Sequence, residues 1–348
     1  MNTISSQKRS TALRLDFGMH PAFDERFGGE KGIELVIAPR AGDDATTWAA
    51  LARAHVYHVS AAKDELPRGW YVTPALLERC PELLCVSSSG AGYDTVDVAA
   101  CTKLGIAVVN QAGGNAYSVA EHTLGLILSL SKRIAESDRR MRREILTSRE
   151  HVMGREIGGK VLGLVGLGHI GTRVAYLAKA FGMTVIASDP FLKDEEITRR
   201  GAKPVPLDEL LSTADFVSVH CPRNAETMGM FNAATFGRMK RGAQFVTTAR
   251  GGIHDEKALL AAMQSGQVGG AGLDVWDQEP PPLDHPLLKL DNVIATFHTA
   301  GVTAEARGNM AAISAEQIVA FLHGERPARL VNPEVWPACE ARKAKVFG

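Results

Sequence analysis

The chain is poor in cysteine, carries no surplus of charge and has no long apolar run. Its five cysteines, Cys80, Cys85, Cys101, Cys221 and Cys339, are odd in number and scattered, without a C-x-x-C pair. That spacing speaks against a zinc ribbon and against a disulfide framework, so no metal site is expected. Lys+Arg and Asp+Glu both total 39, for a formal net charge of zero. A balanced chain does not advertise a polyanion or an anionic membrane as partner, so neither nucleic acid nor membrane is expected. No run approaches the ~18 apolar residues of a membrane span. The opening "MNTISSQKRS" has basic residues but no apolar stretch behind them, which does not read as a secretory signal. The expectation is a soluble, cytoplasmic protein. Short-period repeats and low-complexity segments are also missing.

What is present is ordinary globular material, 45% hydrophobic and 22% charged over 348 residues, long enough for two domains. The first ten residues read as a loose tail. After them "ALRLDF", "GIELVIA", "AHVYHVS", "LLCVSSSG" and "IAVVN" read as strands, with "TTWAALARA", "PALLERC" and "VDVAACTKLG" as helices between them. Such alternation predicts a parallel sheet covered on both sides. The stretch "SVAEHTLGLILSLSKRIAESDRRMRREI" repeats apolar residues near helical spacing and predicts one long amphipathic helix. Ser118 would cap it, with Glu121 completing a capping box. Its basic end suits a helix C-terminus, and the helix is a candidate subunit contact. From Lys160 the alternation restarts with "KVLGLVG", "MTVIASD", "DFVSVHC", "AQFVTTA", "GGAGLDVW" and "NVIATFH", six strands.

The segment "VGLGHIG" places Gly166, Gly168 and Gly171 in G-x-G-x-x-G register. Alone this pattern is weak. Here it follows an apolar strand and opens a helix, as a dinucleotide site requires. Gly166 permits a tight turn, Gly168 lets backbone approach a pyrophosphate and Gly171 allows close packing. The helix N-terminus offers N–H groups to phosphate. Asp189 stands eighteen residues later, where a carboxylate accepts from ribose hydroxyls and repels a 2′-phosphate, so NAD is the expected cofactor. Further on, Arg250, Asp274, Glu279 and His298 all fall at or just beyond strand ends, where parallel sheets bind ligands. Each has a plain alternative: a strand-end Arg reaching solvent, a turn-capping Asp, a loop Glu, a core His.

"SVAEHTLGLIL", "GLVGLGHIGTRVA", "DFVSVHCP", "TTARGG", "GLDVWDQEP" and "FHTAG" together resemble the D-isomer-specific 2-hydroxyacid dehydrogenase family, in order across residues 87–300. The resemblance implies an α/β fold of two domains. A Rossmann dinucleotide-binding domain, 118–302, is inserted into a discontinuous flavodoxin-like substrate domain, 1–117 and 303–348, with the cleft between them. It implies that Arg250 holds the substrate carboxylate, that His298 passes a proton and that Glu279 pairs with it. It implies cofactor contacts at His169, Ile170 and Asp189, and at Cys221, Pro222 and Thr227. Thr248, Ala249, Arg250, Asp274, His298 and Gly301 complete that set. Ser89, Gly90, Ala91 and Gly92 would offer backbone N–H groups to substrate, with Arg250. A homodimer through the long helix is also implied.

The implied chemistry is coherent. Reducing a 2-keto acid needs a hydride donor, a proton donor and a cation for the carboxylate. Thr247, Phe297 and Thr299 depart from what many relatives carry, which leaves the reaction class and opens the question of substrate. Residues 83–95 contain no basic side chain, so a small unphosphorylated acid such as hydroxypyruvate or glyoxylate is expected, with Trp276 and Phe297 as apolar lining. Lys63 and Arg68 keep phosphoglycerate dehydrogenase open as the alternative. Glu279, where formate dehydrogenases resemble Gln, disfavours that relative. A phosphite-oxidising relative keeps the same three residues. A dinucleotide-sensing corepressor-like protein without turnover is the rival from another class.

Overall fold

The computed structural model describes residues 9–41, 44–63 and 65–348. Of the expected tail, residues 1–8 lie outside the described residues, and Ser10 already opens a strand. The chain divides into two units, Met1–Asn115 with Thr303–Gly348, and Ala116–Val302. The first crossing falls two residues before the 117/118 boundary expected from sequence.

Among the described residues the first unit holds five parallel strands: β1 (Ser10–Leu15), β2 (Ile33–Ala38), β3 (Val56–Ser60), β4 (Cys85–Ser89) and β5 (Ala107–Val109). Their order is β2-β1-β3-β4-β5, the flavodoxin-like arrangement. Parallel pairing leaves both faces to be buried, and two separate apolar clusters do this. Leu13, Leu15, Tyr57, Val59 and Val86 face one. Ala12, Val56, Cys85 and Ala107 face the other, beneath the helix Ala304–Leu322.

The second unit holds seven parallel strands among the described residues: β6 (Val161–Val165), β7 (Thr184–Ser188), β8 (Lys203–Pro204), β9 (Phe216–Val219), β10 (Ala243–Thr247), β11 (Val268–Leu273) and β12 (Val293–Ala295). Their order, β12-β11-β10-β9-β6-β7-β8, is the doubly wound dinucleotide fold. The seventh strand, β8, was not expected. It is two residues long at the sheet edge, too short for any periodicity to announce it.

The predicted long helix is two helices, Ala116–Ser131 and Ile134–Met141. Arg133 between them is left-handed, with φ 52°. The Arg155 N–H donates to the Ser131 carbonyl at 2.7 Å, satisfying an end group that a continuous helix would have used. Arg133 then turns its guanidinium onto Glu136. The Ser118 cap is also corrected. The helix starts before it, and Ser118 Oγ donates to the Ala300 carbonyl at 2.6 Å instead.

Candidate active site

The glycine-rich loop leaves β6 and opens the helix His169–Ala180. Gly166 has φ +92°, and a Cβ there would stand 2.8 Å from Cys221 N. A Cβ on Gly171 would stand 2.4 Å from the Gly166 carbonyl. Both positions are closed to any side chain. Gly168 differs: a Cβ would meet nothing within 4 Å. The space over Gly168, at the N-terminus of this helix, is open and is the candidate cradle for the pyrophosphate that the resemblance implies. His169 is exposed and Ile170 half-buried at the same end.

Asp189 closes the far side of this loop. Its Oδ2 accepts from Leu167 N at 2.8 Å and its Oδ1 from Phe191 N at 3.0 Å. The carboxylate is thus aimed by two backbone donors, each oxygen keeping a lone pair for a further donor. Cys221 and Pro222 follow β9 beside Gly166. Burial pushes the Cys221 thiol up to about 11, so it stands as a neutral wall. Thr227 Oγ1 donates to the Pro222 carbonyl at 2.6 Å and ties that loop down. Thr248 is buried, its Oγ1 at 3.3 Å from that of Thr123, and Ala249 and Gly301 are half-buried.

Arg250 comes off the end of β10 and its Nη1 donates to the Ala249 carbonyl at 2.7 Å. Two glycines follow for separate reasons. A Cβ on Gly251 would lie 1.9 Å from the Trp276 carbonyl, so only glycine lets β10 and the loop after β11 touch here. Gly252 has φ +78°, and its N–H donates to Asp277 Oδ1 at 2.7 Å. The loop after β11 carries Glu279. Its Oε1 accepts from Trp276 N at 3.0 Å and its Oε2 meets His298 Nδ1 at 2.9 Å. Burial acts to raise the Glu279 carboxyl. The hydrogen bond and charge of His298, the Trp276 N–H and the charge of Arg250 outweigh it and hold the group below its ordinary value. An ionised Glu279 accepts at Nδ1, which fixes that nitrogen as the protonated one and leaves Nε2 for exchange.

His298 itself is left-handed, with φ 54°. A non-glycine residue held there costs about 1–3 kcal/mol and persists where its surroundings over-determine it. They do. Asp274 is fully buried. Its Oδ1 accepts from Thr296 Oγ1 at 2.5 Å and from Thr299 N at 2.8 Å, and its Oδ2 from Ala300 N at 2.9 Å. The Asp274 carboxylate thus braces the His298 turn. Trp276 belongs to the same support. It is buried, with Nε1 donating to the Thr296 carbonyl, so it supports the turn rather than lining a pocket. Phe297, by contrast, is 79% exposed.

In the first unit, residues 89–92 leave β4 as expected, with Gly90 at φ +109°. Asn110 Nδ2 donates to the Ala91 carbonyl and Ser88 Oγ to the Gly92 carbonyl, each at 2.8 Å. The Gly90 N–H is engaged by Gln111 Oε1, so it is not the open donor that the sequence reading expected. Ser89 is half-buried beside it. Gln111 had no role from sequence, because nothing local marks a glutamine whose partner lies 21 residues back. His122 and Thr296 were missed likewise: their contact at 3.1 Å spans 174 residues.

Comparison with known proteins gives this geometry a context. The model of the D-isomer specific 2-hydroxyacid dehydrogenase NAD-binding domain matches residues 124–300. A D-3-phosphoglycerate dehydrogenase of Archaeoglobus fulgidus is 42% identical over 268 residues, 77% of this chain and 51% of that protein. The chain thus spans about half the length of that relative. A glyoxylate reductase of Korarchaeum cryptofilum is 41% identical over 263 residues, 75% of this chain and 79% of that one. Among solved structures, D-lactate dehydrogenase from Aquifex aeolicus, complexed with NAD and lactic acid, superposes with a TM-score of 0.78 at 28% identity, covering 92% of this chain and 98% of the other.

Proposed function

Because the chain belongs to the D-isomer specific 2-hydroxyacid dehydrogenases, with its second unit matching their NAD-binding domain, we propose that it interconverts a small D-2-hydroxy acid and its 2-keto acid. The observation that carries this reading is the His298–Glu279 pair at 2.9 Å, in the unit that also carries Arg250. NAD, when bound, supplies or takes the hydride. The cradle over Gly168 and the aimed Asp189 carboxylate would hold it, and Asp189 would repel a 2′-phosphate. Arg250 would bind the substrate carboxylate through its planar fork. His298 Nε2 would give a proton to the developing alkoxide in reduction and remove it in oxidation. Glu279 accepts from Nδ1 and so keeps the exchangeable proton on Nε2.

The substrate we propose is unphosphorylated, glyoxylate or hydroxypyruvate. The absence of a basic side chain in residues 83–95 supports this. So does the glyoxylate reductase relative, most of whose length the chain covers. A phosphate ester needs its own cationic site. The test is kcat/KM with NADH for glyoxylate and hydroxypyruvate against phosphohydroxypyruvate. A preference for the phosphorylated acid overturns the substrate assignment, and no turnover with any of them overturns the activity. We propose a homodimer as well. The exposure of Ile134 and Met141 on the helix Ile134–Met141, and of Ile145 and Met153 after it, supports this reading. Sedimentation at micromolar concentration checks it: a monomer contradicts the proposal.

A further inference from the structure

The turn that carries His298 is gripped by one helix on both of its sides. Ser118 and His122 lie one helical turn apart on Ala116–Ser131, so their side chains share a face. Ser118 Oγ donates to the Ala300 carbonyl at 2.6 Å, two residues after His298. His122 Nε2 meets Thr296 Oγ1 at 3.1 Å, two residues before it. The direction of the second bond follows from its neighbours. Asp274 Oδ1 accepts the Thr296 hydroxyl proton at 2.5 Å, so Thr296 Oγ1 can only accept from His122, which must carry its proton on Nε2. His122 Nε2 also lies 3.7 Å from Asp274 Oδ1. A fully buried carboxylate is thereby given a donor chain that ends on a helix, in addition to two backbone N–H groups.

We propose that Ser118 and His122 are positioning residues for the acid–base step, holding the His298 turn in its left-handed form. The inference rests on the proposed activity for its kinetic readout, but not for its structural one. Neither side chain touches His298. Each holds a residue two positions away, and between them the turn has no freedom to relax into an ordinary conformation. Glu279 alone does not supply this, since a single bond at Nδ1 leaves the ring free to follow its backbone. A loosened turn would move Nε2, and a displacement of about 1 Å at a reacting group costs on the order of 10²-fold in rate.

The test is the double variant Ser118→Ala/His122→Leu in the full chain, with Ser118→Ala alone and His122→Gln beside it. Gln keeps an N–H that can reach Thr296 Oγ1. The expected result for the double variant is a kcat lower by about 10²-fold with the KM for NADH within about twofold, while His122→Gln stays within a few-fold of wild type. The crystal structure of the double variant should show His298 out of the left-handed region or off Glu279. If the double variant keeps both the His298 conformation and the Glu279 contact, or keeps kcat, the proposal is overturned. Should it not fold, Ser118→Ala is subjected to the same two measurements, with the same outcomes deciding. Absence of turnover in the wild-type protein would overturn the proposed activity instead, and the structural readout would still decide the clamp.

Discussion

Replacing His298 with Gln removes the group assigned to carry the proton while keeping a side chain of similar length on the turn. The expected outcome is a kcat for keto-acid reduction lower by ~10²-fold or more, with NADH binding unchanged by fluorescence titration. Glu279→Gln has a different signature. Glu279 is held below its ordinary carboxyl value, so it is charged throughout the neutral range. Gln keeps a side-chain oxygen for His298 Nδ1 but removes the charge beside the ring. The expected outcome is a smaller loss than for His298→Gln, about 10-fold or more in kcat, with the KM for NADH unchanged. An unchanged kcat would make Glu279 a structural residue. The roles proposed for Arg250, Glu279 and His298 come from the family resemblance, since residue type alone left each of them a plain alternative. The bracing of the His298 turn by Asp274 was legible only as a turn-capping alternative, since a sequence cannot say whether a strand-end carboxylate faces a ligand or its own backbone.

The glycine-rich loop allows steric and functional requirements to be separated within one element. Gly166→Ala puts a methyl 2.8 Å from Cys221 N on a backbone of φ +92°, and should destabilise the unit by more than ~1 kcal/mol. Gly168→Ala meets nothing within 4 Å. It should leave the thermal midpoint in place and weaken NADH binding, since the methyl occupies the cradle. A Gly168→Ala variant with unaltered NADH affinity would show that pyrophosphate does not approach there. Most strands in both sheets could be read from sequence, because buried parallel strands are short apolar runs between turn residues. Helix ends were less readable. The break at Arg133 depends on an N–H from Arg155, and the fate of Ser118 on a carbonyl 182 residues away. No local pattern encodes either.

At the scale of the whole molecule, buried histidines tie stability to pH. Burial lowers His58 to about 3 and His220 to about 4, from an ordinary value of 6.5. Unfolded chain binds protons at these rings below about pH 6.5, while the fold refuses them until far lower. Their contribution is therefore whole above pH 6.5 and is lost as pH falls through that window, at a limit of about 1.4 kcal/mol per pH unit for each ring. Urea midpoints should fall between pH 7 and pH 5, before most carboxylates titrate; a flat profile there would contradict this. The division into two α/β units was foreseeable from the restart of strand–helix alternation at Lys160, and the return of the chain to its first unit only from family resemblance. The central claim concerns what both units serve, hydride transfer to a 2-keto acid with His298 as proton donor. It is tested most directly by incubating the protein with hydroxypyruvate and NADH that carries deuterium at both positions of nicotinamide C4. The account predicts D-glycerate labelled at C2, formed by wild type and at most ~1% as fast by His298→Gln. Unlabelled product, the L-isomer, or equal labelling by the variant would contradict it.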